Sequence, residues 1–172
     1  ERPEAELTAN SARLSLGGEI LPLLTGDLSV GYRNQDSPNA GLGGTARIVE
    51  MRDEEWSRVL DVTLNGTFRM MRAVLPHMLA RRSGAIVNNA SVLGWRAQEG
   101  QSHYAAAKAG VMALTRCSAM EAAAHGVRVN AVSPSLATHE FLAKFTPQGL
   151  LDQLTAREAF GRGAEPWEVA NV

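Results

Sequence analysis

From position 53 onward the apolar residues fall into two clear periods. Trp56, Leu60, Leu64, Phe68, Met71, Leu75 and Met78 recur every three or four residues. That is the spacing of one helix face, and it predicts a helix from an Asp53 cap to about Arg82, with Gly84 as its stop. Glu54 and Glu55 would sit in its first turn, where carboxylates complement the helix dipole. The short run Ala85-Ile86-Val87, closed by Asn88 and Asn89, has the length and punctuation of a strand buried in a parallel sheet. An alanine-rich stretch from about Ser102 to His125, ended by Gly126, predicts a second long helix. Val127 to Val132 then reads as a second strand, and Glu165-Pro166 opens a last helix with proline at its favoured first position. Residues 1–38 behave differently. Their glycines (Gly17, Gly18, Gly26, Gly31) and apolar pieces such as Ile20 to Leu24 settle into no period, so poorly specified structure is expected there. Strands near 85 to 90 and 127 to 132, separated by helices, define an α/β doubly wound fold with helices on both sheet faces.

The chemistry of the chain gathers where the first of these strands ends. Ser91 follows Asn88-Asn89-Ala90 directly, and Tyr104 and Lys108 lie one turn apart on the next helix. Side chains four residues apart leave one helix face, so the three groups can meet. A phenol has an ordinary pKa of about 10, and a neighbouring ammonium together with a helix N-terminus is expected to lower it. A serine hydroxyl can hold a carbonyl or alcohol oxygen beside that phenol. This is the proton-transfer half of a carbonyl reduction. No side chain supplies the hydride, so a nicotinamide cofactor is implied.

Taken together, Asn39-Ala40-Gly41, Ser91, the Tyr104-x-x-x-Lys108 pair and the strand Val127 to Val132 ending in Ser133-Pro134 resemble the short-chain dehydrogenase/reductase family in order and spacing. The resemblance covers Asn39 to Val172 and leaves residues 1–38 unassigned. It implies the C-terminal part of a Rossmann-like domain, with Tyr104 as general acid/base, Lys108 tuning it and binding the nicotinamide ribose, and Ser91 holding the substrate oxygen. Asn39, Ala40 and Gly41 would line the adenosine side of NAD or NADP, and Pro134 and Thr138 the nicotinamide pocket. Residues 141 to 157 would form a substrate lid. The motifs are similar to those of bacterial 3-oxoacyl-thioester reductases and hydroxysteroid dehydrogenases, which implies a small-molecule ketone or alcohol substrate, 3-oxoacyl thioester or steroid-like. The family's two long helices pair subunits, so a homodimer or homotetramer is expected. Two departures stand out. Thr63 occupies the place of a usual asparagine that kinks the helix and holds a water near the lysine. The Thr-Gly-x-x-x-Gly-x-Gly phosphate loop is missing: Thr25-Gly26-Asp27-Leu28-Ser29-Val30-Gly31 echoes it, but Val30 stands at a required glycine.

Composition narrows the function classes. The 172 residues carry a formal charge of −1 with both signs interspersed, which provides neither a basic stripe for nucleic acid nor a polybasic membrane patch. Apolar runs fall well short of the roughly 18 residues of a membrane span, and no signal peptide is read, so a soluble cytoplasmic protein is expected. The single cysteine, Cys117, lies in an apolar helix pattern and is expected to be a buried thiol. His77, His103, His125 and His139 show no ligand spacing, so packed or solvated imidazoles are expected rather than a metal site. The chain starts without methionine and stops inside a helical pattern, which reads as a fragment. That sets a contrary hypothesis beside the enzyme: a catalytically silent piece of the family fold whose helices still pair with themselves or a partner.

Overall fold

The computed structural model describes residues 6–9, 12–15, 45–138, 142 and 146–171. Asn39, Ala40, Gly41 and His139 lie outside the described residues. Within the stretch expected to lack elements, β1 (Glu6–Ala9) and β2 (Ala12–Ser15) form an antiparallel hairpin. The main body begins with α1 (Asp53–Leu60), passes without a break through a π turn (Asp61–Asn65), and continues as α2 (Gly66–Arg81). The helix cap is Arg52, one residue before the expected Asp53. There the Arg52 N–H donates to the Glu55 carboxylate at 3.2 Å. The stop also comes earlier than Gly84. Arg82 takes the left-handed conformation, φ 55°, and Ser83 N–H closes the last turn on the Met78 carbonyl at 3.2 Å.

β3 (Gly84–Asn89), α3 (Ser102–Ala123) and β4 (Val127–Val132) follow. β3 and β4 pair in parallel, with Ile86 opposite Val129 and Asn89 opposite Val132. This β-α-β unit is the building block of a doubly wound α/β fold. Alternation along each strand sends Ile86, Val127 and Val129 to one face, where Met71 and Met78 of α2 and Ala122 of α3 bury them. Among the described residues, helices cover that face alone. On the other, Val87 is 47% exposed, and Asn89, Arg128 and Asn130 are exposed with it. The expected helices on both faces are therefore not found in the described part. After β4 come α4 (Gln148–Thr155) and α5 (Pro166–Ala170), the latter with proline at its first position as expected.

Gly126, at φ 71°, turns the chain from α3 into β4. A side chain there would also press on the Arg82 carbonyl, 3.1 Å from its Cβ. Cys117 is exposed, against the expectation of a buried thiol. The reason is register. The buried stripe of α3 runs through Val111, Thr115, Ser118 and Ala122, and a position two residues from Thr115 points about 200° away from it.

Candidate active site

β3 delivers the backbone to the site and a short 3-10 turn holds it there. Beyond the last paired residue, Ala90 N–H still reaches the Val132 carbonyl at 2.8 Å, and Val92 N–H takes the Pro134 carbonyl at 3.0 Å. Between these anchors sits Ser91, buried, capping the turn Val92–Gly94 by accepting Leu93 N–H at 3.2 Å. Below it, Asn88 binds β3 to α3: its side-chain amide donates to Thr115 Oγ1 at 2.8 Å and lies 3.2 Å from Met71 Sδ. These bonds satisfy an otherwise costly buried amide and fix the register of strand against helix.

Tyr104 and Lys108 come from the first turns of α3, as their spacing requires. Ser91 lies near enough to Tyr104 for its hydroxyl to favour the phenolate. Lys108 Nζ lies over the Tyr104 ring, 5.5 Å from its centroid, and donates to the Asn89 carbonyl at 2.6 Å. The three side chains thus meet at the C-terminal end of β3, where open α/β sheets place their sites. His103, beside Tyr104, is 1% exposed. The Thr138 N–H and hydroxyl both donate to the Ala164 carbonyl, at 2.8 and 3.2 Å. The Pro134 carbonyl accepts Val92 N–H at 3.0 Å, next to Ser91.

The electrostatics run against the sequence expectation for Tyr104. Burial pushes its phenol above the ordinary value, with the Ser91 hydroxyl pulling the other way. Burial also depresses Lys108, to about 8. Both groups lose water together, and desolvation disfavours the phenolate and the ammonium alike. At neutral pH the arrangement is a neutral phenol beside a lysine that is still mostly protonated. Such a phenol is a proton donor.

A nicotinamide dinucleotide fits these residues at one end only. The Lys108 ammonium has donors beyond the one given to Asn89 and stands beside Tyr104, which suits a ribose hydroxyl. The pyrophosphate end needs a helix N-terminus opened by a glycine-rich turn. α1 instead begins with Asp53, Glu54 and Glu55, which repel phosphate. α3 begins with the tyrosine-bearing turn itself, and α4 is entered through Pro147. The described residues do not hold the whole dinucleotide.

Comparison with known proteins agrees with this architecture. The family model described as short chain dehydrogenase matches residues 37–148. The chain belongs to the short-chain dehydrogenase family. It is 67% identical over 133 residues to a (5R,7aS)-5-hydroxy-7a-methyl-1-oxo-2,3,5,6,7,7a-hexahydro-1H-indene-carboxyl-CoA reductase of Mycobacterium tuberculosis, covering 77% of this chain and 51% of that protein. It is 40% identical over 134 residues to a 3-oxoacyl-(acyl-carrier-protein) reductase of Thermotoga maritima, covering 78% and 54% respectively. A solved short chain dehydrogenase from Mycobacterium smegmatis superimposes with a TM-score of 0.61 at 58% identity, over 77% of this chain and 47% of its own. The chain spans about half the length of these relatives. Among the described residues, no helix is long and apolar enough to cross a membrane, and no group of three or more His, Cys, Asp or Glu comes together as a metal site would require.

Proposed function

We propose that this chain holds the proton-transfer centre of an oxidoreductase that interconverts a ketone and a secondary alcohol, with no whole dinucleotide site among its described residues, and is catalytically silent by itself. Tyr104 is the proton donor and acceptor, Ser91 the residue that holds the substrate oxygen, and Lys108 the cation that tunes Tyr104 and meets the nicotinamide ribose of NAD or NADP. The observation that carries the reading is a mismatch. Tyr104 and Lys108 come together beside Ser91, whereas the stretch from Thr25 to Gly31 carries Val30 where the family's phosphate loop requires glycine.

The substrate in this reading is a thioester bearing a ring or β-ketone, 3-oxoacyl or steroid-like. The relatives named for a hexahydro-indene-carboxyl-CoA and for a 3-oxoacyl carrier thioester support it. What the chain does alone is self-associate, as a homodimer or homotetramer, in the cytoplasm. Its support is the outer surface of α2 and α3, where Phe68 is 44% and Met120 82% exposed, with Cys117 also exposed on α3.

Titration of the purified chain with NADH and NADPH, followed by nicotinamide fluorescence, tests the silent state. The expected result is no saturation at micromolar cofactor. Saturable micromolar binding would show that the chain builds a phosphate site and would remove the ground for catalytic silence.

A further inference from the structure

The helix from Asp53 to Arg81 widens into a π turn at Asp61–Asn65. Such turns are rare and recur at functional sites. This one is braced from outside: Asp61 Oδ1 accepts from Asn65 Nδ2 at 3.2 Å and from the Arg69 guanidinium at 2.7 Å. The Thr67 hydroxyl donates to the Thr63 carbonyl at 2.8 Å, so the turn persists with threonine at position 63. On its inner side the turn presents Leu64, which packs on the cluster Ala90, Val111 and Met112. Ala90 precedes Ser91, and Val111 lies less than one turn beyond Lys108. Contact there is close: a Cβ at Gly110 would lie 2.7 and 3.0 Å from the two methyls of Leu64, so Leu64 would have to shift. Against α3 from another direction stands Gly94, whose Cβ would be 3.3 Å from both the Lys108 carbonyl carbon and the Ala109 nitrogen. At the level of Lys108, α3 is thus in close contact with both the loop after Ser91 and the π turn.

We propose that Asp61 and Arg69 are positioning residues of the Ser91, Tyr104 and Lys108 site: by bracing the π turn they seat Leu64 against Gly110 and set where α3 presents Tyr104 and Lys108 to Ser91. A return of residues 61–65 to regular helix changes the local winding, and each residue of offset turns Leu64 by about 100°. The packing under Ser91 and Lys108 then loses one of its walls. The Asp61 and Arg69 side chains are 34% and 37% exposed, and pairs with that much access to water contribute little to global stability. A merely structural surface pair therefore predicts no change at Tyr104, and a positioning pair predicts one.

The proposal rests on the reading of the trio as a proton-transfer site, but its test reads geometry and not turnover. The chain has two tyrosines, so Tyr32→Phe leaves Tyr104 as the sole phenol for ultraviolet titration. In that background Asp61→Ala and Arg69→Gln should move the Tyr104 midpoint toward the ordinary value of about 10, by about half a pH unit or more, while circular dichroism stays unchanged. Asp61→Asn, which keeps an acceptor oxygen, should move it less. Gly110→Ala, which displaces Leu64 directly and leaves the brace intact, should move it in the same direction. Unmoved midpoints in folded Asp61→Ala and Arg69→Gln overturn the proposal. Should Asp61→Ala fail to fold, Arg69→Gln decides in its place, and an unmoved midpoint there overturns it equally. Failure of the silent-fragment reading would show as saturable binding in the cofactor titration, which leaves the Tyr104 midpoint out of account, so the two failures are distinguishable.

Discussion

Replacing Lys108 by methionine separates two effects that act on one ammonium. Burial holds its pKa at about 8 against an ordinary 10.5. At roughly 1.4 kcal/mol for each tenfold change in proton affinity, that displacement corresponds to about 3 kcal/mol against the charged form. The bond to the Asn89 carbonyl, 2.6 Å long, offsets it by about 1.5–3 kcal/mol, the range for a hydrogen bond to a charged group. The signs fix the pH window. Because the folded-state value is depressed, the folded chain binds fewer protons than the unfolded chain between about 8 and 10.5. Stability from this group therefore rises with pH across the window and is lost as pH falls through about 8. Methionine removes the titration. At pH 7 the variant is free of the charge-burial cost and lacks the bond to Asn89, so the two chains should differ by no more than about 1–2 kcal/mol.

Urea unfolding at successive pH values, from neutrality to just below the phenol range, measures this directly. The parent should gain on Lys108→Met as pH rises above 8. A second readout is available because the chain has two lysines: Lys144→Arg leaves Lys108 as the only side-chain ammonium to follow by nitrogen NMR. Parallel stability curves, or an Nζ midpoint near 10.5, would refute the burial argument and with it the electrostatic account of the site.

Ser91→Ala in the Tyr32→Phe background should raise the Tyr104 midpoint further, since the Ser91 hydroxyl is what pulls it down; an ultraviolet titration that moves the other way would assign that pull to another group. Asn88→Ala should cost about 1–3 kcal/mol in urea unfolding, because Thr115 Oγ1 loses its buried donor at 2.8 Å, and a cost near zero would mean that the amide does not brace β3. Cys117 should react readily with a thiol reagent in dilute solution and become protected as the chain is concentrated; reactivity that ignores concentration would place self-association away from the outer surface of α3.

The parts of this chain that were legible in the sequence are those set by local periods. β3 lies one residue from its expected bounds and β4 on them, because a short apolar run bounded by turn residues reads as a strand. Gly126 ends α3 as read, since φ 71° is open to glycine and strained for residues with a Cβ. The meeting of Tyr104 with Lys108 followed from helix geometry alone. Ser91 joined them because it stands directly after a strand whose parallel partner lies beyond that same helix, and a β-α-β unit brings those ends together.

What stayed illegible depends on neighbours distant in sequence. The stripe from Trp56 to Met78 reads as one continuous helix because a π turn shifts the phase by a single residue, within the tolerance of a pattern that accepts steps of three or four. Only the bonds from Asp61 to Asn65 and Arg69, and the fit of Leu64 on Gly110, show where the phase changes. Tyr104 shows the same limit in its electrostatics. Its two local influences, a lysine one turn away and a helix start, both argue for a lowered pKa, and the sequence displays both. The opposing influence is loss of water under the packed loop and helix, which is a sum over groups that the sequence does not place beside it. Here that sum prevails, and it prevails for Lys108 too. The same burial that weakens Lys108 as an ammonium keeps Tyr104 a neutral donor, so the two shifts are one consequence of how closely α3 is held at the level of Lys108.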